Sequence, residues 1–207
     1  IMAGCENVQV AGGVEHMDHI PMDKDYDPPP GLFHRYSEAI MHMGLTAEYL
    51  AGKYEIERQQ QDEFACRSHQ LASEATNSDG FSAEIVPTWG RDVDGLKTPI
   101  TRDQCLREDC SLEGLAGLRP IFNPASGSVT AGNSSPINVG AAALLMMSES
   151  RANELGLAPL ARVRAMAVAG VDPTEMGIGP VPAVHKALER AGVTLEEIEC
   201  IEINEAF

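Results

Sequence analysis

No stretch of the sequence approaches the roughly 20 apolar residues that a membrane-spanning helix needs, so these residues hold no helical membrane anchor. Basic residues are scarce: fifteen Lys and Arg stand against thirty-one Asp and Glu, a formal charge of -16. That sign argues against nucleic acid and anionic membrane surfaces as partners, while leaving room for a local basic site that holds an anionic ligand. Cysteines number five, at positions 5, 66, 105, 110 and 200, an odd count without the paired spacing of zinc modules. This argues against both a disulfide framework and a metal centre and suits a reduced compartment, so we expect a cytoplasmic protein with no metal ligands. No signal peptide is visible.

What is present is an ordinary globular composition, enough to bury one sizeable core or parts of two. Ile1-Met2-Ala3-Gly4 reads as the last turn of a helix closed by Gly, and Val8-Gln9-Val10-Ala11-Gly12-Gly13 as a buried strand of an α/β core. From residue 14 to about 45 the periodicity is lost among prolines, Met and His. A long helix starts near Ile56, with Phe64, Ser68, Leu71, Ala72 and Ala75 on one face at helical spacing, and Asn77-Ser78-Asp79-Gly80 ends it. Ile85-Val86-Pro87-Thr88 reads as a strand, and residues 112–118 as a short helix in an otherwise irregular polar stretch. Residues 14–126 therefore resemble a surface-built insertion.

The core pattern returns with Ser128-Val129-Thr130-Ala131-Gly132-Asn133-Ser134-Ser135 and the apolar run Gly140-Ala141-Ala142-Ala143-Leu144-Leu145-Met146-Met147, read as a buried element. A short helix follows from Ser148 to near Gly156, and 161–169 alternates like a strand. Gly170-Val171-Asp172-Pro173-Thr174-Glu175-Met176-Gly177-Ile178-Gly179-Pro180 is a Gly/Pro loop too rigid and too long for a plain connector. Pro182 opens the next helix, Gly192 closes it, and 198–203 completes a strand-helix-strand unit that implies a parallel sheet. The chain ends on Asn204-Glu205-Ala206-Phe207, an apolar run delivering a carboxamide, and both ends are abrupt enough that the chain reads as an interior piece of a longer protein.

Five segments in this order, Ala11-Gly12-Gly13, the insertion, Thr130-Ala131-Gly132-Asn133-Ser134-Ser135, the Val171-Asp172-Pro173 loop with Met176-Gly177-Ile178-Gly179-Pro180, and Asn204-Glu205-Ala206-Phe207, together resemble the thiolase family. Glu15-His16-Met17 and Met43-Gly44-Leu45-Thr46-Ala47-Glu48 bring the resemblance nearest to the thiolases of bacterial fatty-acid oxidation. It implies a thiolase fold, a layered αβαβα class of two similar halves. Residues 1–13 and 127–150 would belong to the first half, 14–126 to a loop domain covering coenzyme A (CoA), and 151–207 to the start of the second half. It further implies thiolytic cleavage of a 3-ketoacyl-CoA, with CoA as a substrate and no permanently bound cofactor. Expected partners are acyl-CoA and CoA, a second copy or three further copies in a homodimer or tetramer, and a hydratase/dehydrogenase subunit of an oxidation complex.

By the same resemblance Asn204 is the one member of the catalytic set in this chain. Its carboxamide would hold a water that, with a histidine, forms an oxyanion hole for the thioester enolate. A neutral amide can donate there without a pKa to manage, although a post-strand Asn more commonly caps the following helix. Ser135 matches a pantetheine contact, where the bare alternative is a turn or cap serine. Arg107 matches a contact to CoA adenine or phosphates, where the alternative is a solvated arginine. His42 and Met43 match the wall of the acyl and pantetheine tunnel, and Met176 the loop facing them; as isolated residues, the methionines would be core filler. The family's Asn-Arg-x-Cys-x-Ser-Gly, Gly-His-Pro and Cys-x-Gly-Gly-Gly segments are absent from this sequence. We therefore expect the chain alone to be inactive, and Cys5, which lacks the nucleophile's neighbours, is rejected for that role. Cys66 is expected on a helix and Cys200 buried in a strand. At Asn138-Val139-Gly140 many thiolases carry Asp in the middle, a departure bearing on local stability rather than chemistry. A biosynthetic acetoacetyl-CoA thiolase and a non-catalytic acyl-CoA-binding protein are the alternative functions.

Overall fold

The computed structural model describes residues 1–207 except Met2, Asp18, Met22 and Asp23, and for Ile40 and Met41 it describes the backbone alone. The helical turn expected at residues 1–4 includes Met2 and so lies outside the described residues in part. Along the chain run β1 (Val8–His16), α1 (Met43–Lys53), α2 (Arg58–Asn77), β2 (Thr88–Arg91), β3 (Lys97–Ile100), α3 (Leu112–Ala116), β4 (Val139–Met147), α4 (Glu149–Glu154) and α5 (Pro180–Ala191). The chain divides into two compact units, one of residues 1–35, 137–171 and 178–202, the other of residues 36–136, 172–177 and 203–207.

In the first unit β1 and β4 form an antiparallel pair, with Val8 opposite Met147 and His16 opposite Val139. Gly12 is required there, because a Cβ would meet the Ala142 carbonyl oxygen at 2.8 Å. Ser148 continues the ladder by donating its N–H to Asn7 O and then caps α4 by accepting from Arg151 N–H, and Gly156 ends that turn at φ +66°. Both strands were expected to be buried, yet Val10, Val14, Leu144 and Leu145 are all more than 60% exposed. A two-stranded ribbon has two faces, and within this unit neither is covered by another layer.

Helix α5 opens at Pro180, two residues ahead of the expected Pro182, and Gly192 closes it in the left-handed region at φ +67°. The segments 161–169 and 198–203, expected as strands of a parallel sheet, form no strand, and both sheets among the described residues are antiparallel. Strand pairing needs a neighbour offering a row of N–H and C=O groups. In its place Lys186 Nζ donates to Val168 O (2.9 Å) and Arg190 Nη1 to Met166 O (2.6 Å), so cations of α5 satisfy carbonyls that a strand would have paired. Cys200, expected to be buried, is exposed for the same reason.

The second unit is organised around a polar centre. Asn133 accepts Thr130 N–H (2.7 Å) on Oδ1 and donates from Nδ2 to Asp62 Oδ1 (3.0 Å) and Ser128 O (3.0 Å). Arg58 donates to the other Asp62 oxygen (2.8 Å) and to the carbonyls of Leu115 and Leu118. The Glu48 carboxylate accepts from Ser128 N–H (2.8 Å) and hydroxyl (3.1 Å) and from Val129 N–H (2.9 Å). Asp62, Thr130 and Asn133 are buried beside Cys66, Leu115 and Val129. Two glycines admit this packing: a Cβ on Gly127 would lie 2.3 Å from Glu48 Oε1, and one on Gly132 would lie 2.5 Å from both Leu115 and Leu118.

Helix α2 begins with a capping box in which Glu57 and Gln60 satisfy each other's backbone, and Cys66 lies on it as expected. Its inner face differs from the expected one: Phe64 and Leu71 are at least half exposed, while Asp62 and Cys66, one turn apart, point inward. The hydrogen bonds of Asp62 to Arg58 and Asn133 set the helix's rotation against the apolar preference of Phe64. The expected strand at residues 85–88 is displaced to β2, which pairs with β3 as an exposed hairpin where Lys97 covers the Trp89 ring at 4.7 Å. The expected helix at 112–118 forms as α3, capped by Ser111.

Replacing Asn133 with Ala leaves Thr130 N–H without its acceptor and the buried Asp62 oxygen without its donor. Each orphaned group costs about 1–3 kcal/mol. We expect the second unit to lose ~2–5 kcal/mol of stability, measured as a lowered midpoint in urea denaturation at unchanged slope.

Candidate functional site

All six residues singled out in the sequence lie in the second unit. His42 and Met43 stand at the start of α1, both exposed, with the His42 carbonyl accepting from Leu45 and Thr46 N–H. Gly44, the neighbour of Met43, is buried, and a Cβ there would lie 2.0 Å from the Phe122 ring, so the first turn of α1 is pressed against that aromatic at Gly44. Arg107 is exposed, its N–H donates to His69 Nδ1 (3.3 Å) on α2, and its carbonyl closes a turn with Cys110 N–H.

Ser135 and Asn204 are brought together by a contact that spans the sequence. Ser135 N–H donates to Ala206 O (3.0 Å) and its hydroxyl to Glu205 O (2.6 Å), so the Thr130–Ser135 turn carries the Asn-Glu-Ala-Phe segment on its end. The Glu205 carboxylate accepts from Ser68 on α2 (2.7 Å), and the Phe207 ring stands edge-on to Phe122 with centroids 5.8 Å apart. Asn204 is thus exposed immediately before Glu205 and Ala206, whose carbonyls Ser135 holds. The Ser135 hydroxyl has its proton committed to Glu205, leaving its lone pairs to accept from a ligand N–H.

Met176 is 42% exposed, on a segment tied to the α1 region at several points. Tyr36 donates to Asp172 Oδ2 (3.0 Å), while Asp172 Oδ1 accepts both Thr174 N–H (2.9 Å) and its hydroxyl (2.6 Å). Lys53 at the end of α1 pairs with Glu175. Gly177 lies against Leu50, 2.8 Å from where its Cβ would stand. The bonds from Thr174 and Tyr36, with Lys53 nearby, hold the Asp172 carboxyl below its ordinary value, and the Glu175 carboxylate raises Lys53.

Burial, reinforced by the neighbouring Cys66 thiol, pushes Cys110 up and away from the thiolate; Cys5 and Cys200 are exposed. Among the described residues no group of three or more His, Cys, Asp and Glu is arranged to hold a metal ion. An open hollow of about 430 Å³ in this unit is lined by Glu48, Glu55 and Glu57 among others. Its carboxylates repel phosphate, and none of the six singled-out residues lines it.

Reasoning from sequence missed the residues that do the holding. Glu48, Asn133 and Glu205 lay inside quoted motifs, but Tyr36, Lys53 and Ser68 carried no local signal, since their partners are 122 to 137 positions away, and the local partner of Asp62, Arg58, gave no sign of Asn133, 71 positions on.

The profile for the thiolase N-terminal domain matches residues 1–150, and that for the thiolase C-terminal domain matches residues 157–207. The sequence is 54% identical over all 207 residues to a 3-ketoacyl-CoA thiolase of Yersinia enterocolitica, covering 54% of that protein. Among solved structures, the acetyl-CoA acetyltransferase of Bacillus anthracis superposes with a TM-score of 0.82 at 42% identity over 99% of this chain and 54% of its own. Human mitochondrial 3-ketoacyl-CoA thiolase does so at the same TM-score and 34% identity, over 97% of this chain and 54% of its own. The chain spans about half the length of the curated relatives it matches.

A depressed carboxyl stabilises the folded state above its unfolded pKa, and that contribution disappears as pH falls through the lower folded value. We therefore expect the Asp172 carboxyl carbon to titrate by NMR with a midpoint below the ordinary 3.8. In Thr174→Val, which keeps the backbone donor and removes the hydroxyl, the midpoint should move up toward that value.

Proposed function

The chain belongs to the thiolase family, and on that premise we propose that the full-length protein carrying it is a 3-ketoacyl-CoA thiolase of fatty-acid β-oxidation. In the overall reaction the bond between C2 and C3 of the 3-ketoacyl-CoA breaks. The acyl carbonyl carbon passes by way of an enzyme cysteine to the sulfur of free CoA, and the departing acetyl-CoA enolate takes up a proton at C2. The developing enolate oxygen needs preset donors. Asn204 supplies one through a held water, Ser135 accepts from the pantetheine arm, and Arg107 sets a fixed cation against CoA phosphates on an acidic protein. His42, Met43 and Met176 line the path of the acyl and pantetheine chains, whose varied length suits flexible thioethers.

The observation that carries this reading is the pair of hydrogen bonds from Ser135 to Glu205 and Ala206, which joins the two motifs assigned to pantetheine and enolate. None of the five cysteines in residues 1–207 stands in an Asn-Arg-x-Cys-x-Ser-Gly context, and Cys110 is held toward the neutral thiol, which supports assigning the nucleophile elsewhere in the full-length protein. In the same reading residues 14–126 form the loop domain over CoA, the protein works in the cytoplasm as a dimer or tetramer, and a hydratase/dehydrogenase subunit feeds it substrate. Similarity to the Bacillus anthracis enzyme favours a second reading, the biosynthetic condensation of two acetyl-CoA, which shares every residue role above.

Replacing Asn204 with Ala in the full-length protein is expected to lower kcat for thiolysis about 10²-fold with little change in KM, the signature of an interaction made in the transition state. Unchanged rates would remove Asn204 from the catalytic set. Cleavage of long-chain 3-ketoacyl-CoA decides for the degradative reading, and confinement to acetoacetyl-CoA for the biosynthetic one.

A further inference from the structure

The segment 172–177 is fixed to a degree that its exposure does not require. Asp172 is bound by Tyr36 from before α1, and its carbonyl accepts Glu175 N–H (2.9 Å). Glu175 is bound by Lys53 from the last turn of α1, and Gly177 rests on Leu50 of the same helix. Met176, between the tied residues Glu175 and Gly177, is 42% exposed. A methionine has three rotatable bonds and would by itself make a soft, poorly defined wall. Anchoring the residues on either side restricts it to the last turns of α1, around Leu50 and Lys53.

We propose that Lys53–Glu175 and Tyr36–Asp172 are positioning pairs that hold the Met176 segment in register on α1 and thereby set which acyl chains the protein accepts. This rests on the thiolase reading. A long acyl chain must find the Met176 wall already ordered, or its binding bears the entropy of ordering it. Acetoacetyl-CoA reaches a shorter distance along the same wall and depends on it less. The Lys53 and Glu175 side chains are 38% and 24% exposed, so solvent screens the pair and its loss is expected to change KM only about fivefold.

The test is a charge swap in the full-length protein: Lys53→Glu, Glu175→Lys and the double variant, assayed with acetoacetyl-CoA and 3-ketohexadecanoyl-CoA. Each single variant is expected to raise KM for the long substrate about fivefold, leave kcat within twofold, and leave acetoacetyl-CoA nearly unchanged. The double variant, with the pair rebuilt in reverse, should restore the long-chain KM. Amide exchange at Glu175 and Met176, faster in the single variants and slowed again in the double, separates a loosened segment from an unfolded protein. An active wild type whose single variants keep its ratio of KM values, or a double variant that restores nothing, overturns the positioning role alone. A wild type that cleaves neither substrate overturns the thiolase reading and the specificity role with it.

Discussion

The hydrogen bonds of the Asn133 side chain hold the second unit together. One carboxamide joins the Thr130 backbone, the Ser128 carbonyl and the Asp62 carboxylate, and Asp62 passes the connection to Arg58 and so to the carbonyls that end α3. Glu48 secures the other side of the same turn from α1. Buried polar groups of this kind are costly unless every member is satisfied, and here the oxygen and both N–H groups of the Asn133 carboxamide find partners. The reward is specificity of placement: three helices and one turn have a single mutual arrangement in which all these bonds form.

From that turn the site follows. Ser135 lies two residues beyond Asn133 and receives the Glu205-Ala206 backbone, so the position of Asn204 is inherited from the polar centre rather than from a strand of its own. Phe122 reinforces the arrangement by touching Gly44 at the head of α1 and Phe207 at the end of the chain. His42 and Met43 are placed by the same helix that presents Glu48 to the turn. The ties on segment 172–177 add Met176 to this unit through Lys53 and Tyr36.

The first unit is simpler. Its ribbon is made from small residues and aliphatics whose alternation suits a sheet, and its side chains remain exposed on both faces. The stretches 161–169 and 198–203 have strand-like sequences but no strand beside them. Their hydrophobic pattern records a tendency to pair, and pairing requires a second backbone at hydrogen-bonding distance.

Local chemistry was legible from the sequence. Gly192 and Gly156 ended their helices in the left-handed region, the short helices after Ser148 and from Leu112 formed, and the ordered motifs identified the family. These features depend on a few adjacent residues and on backbone preferences that any context preserves. What only the tertiary structure decided was which face of α2 turned inward, that Asp62 rather than Phe64 would be buried, and that Ser135 would meet Glu205. Those outcomes depend on partners some seventy or more positions apart. A buried carboxylate declares its partner only once folding has brought the partner to it.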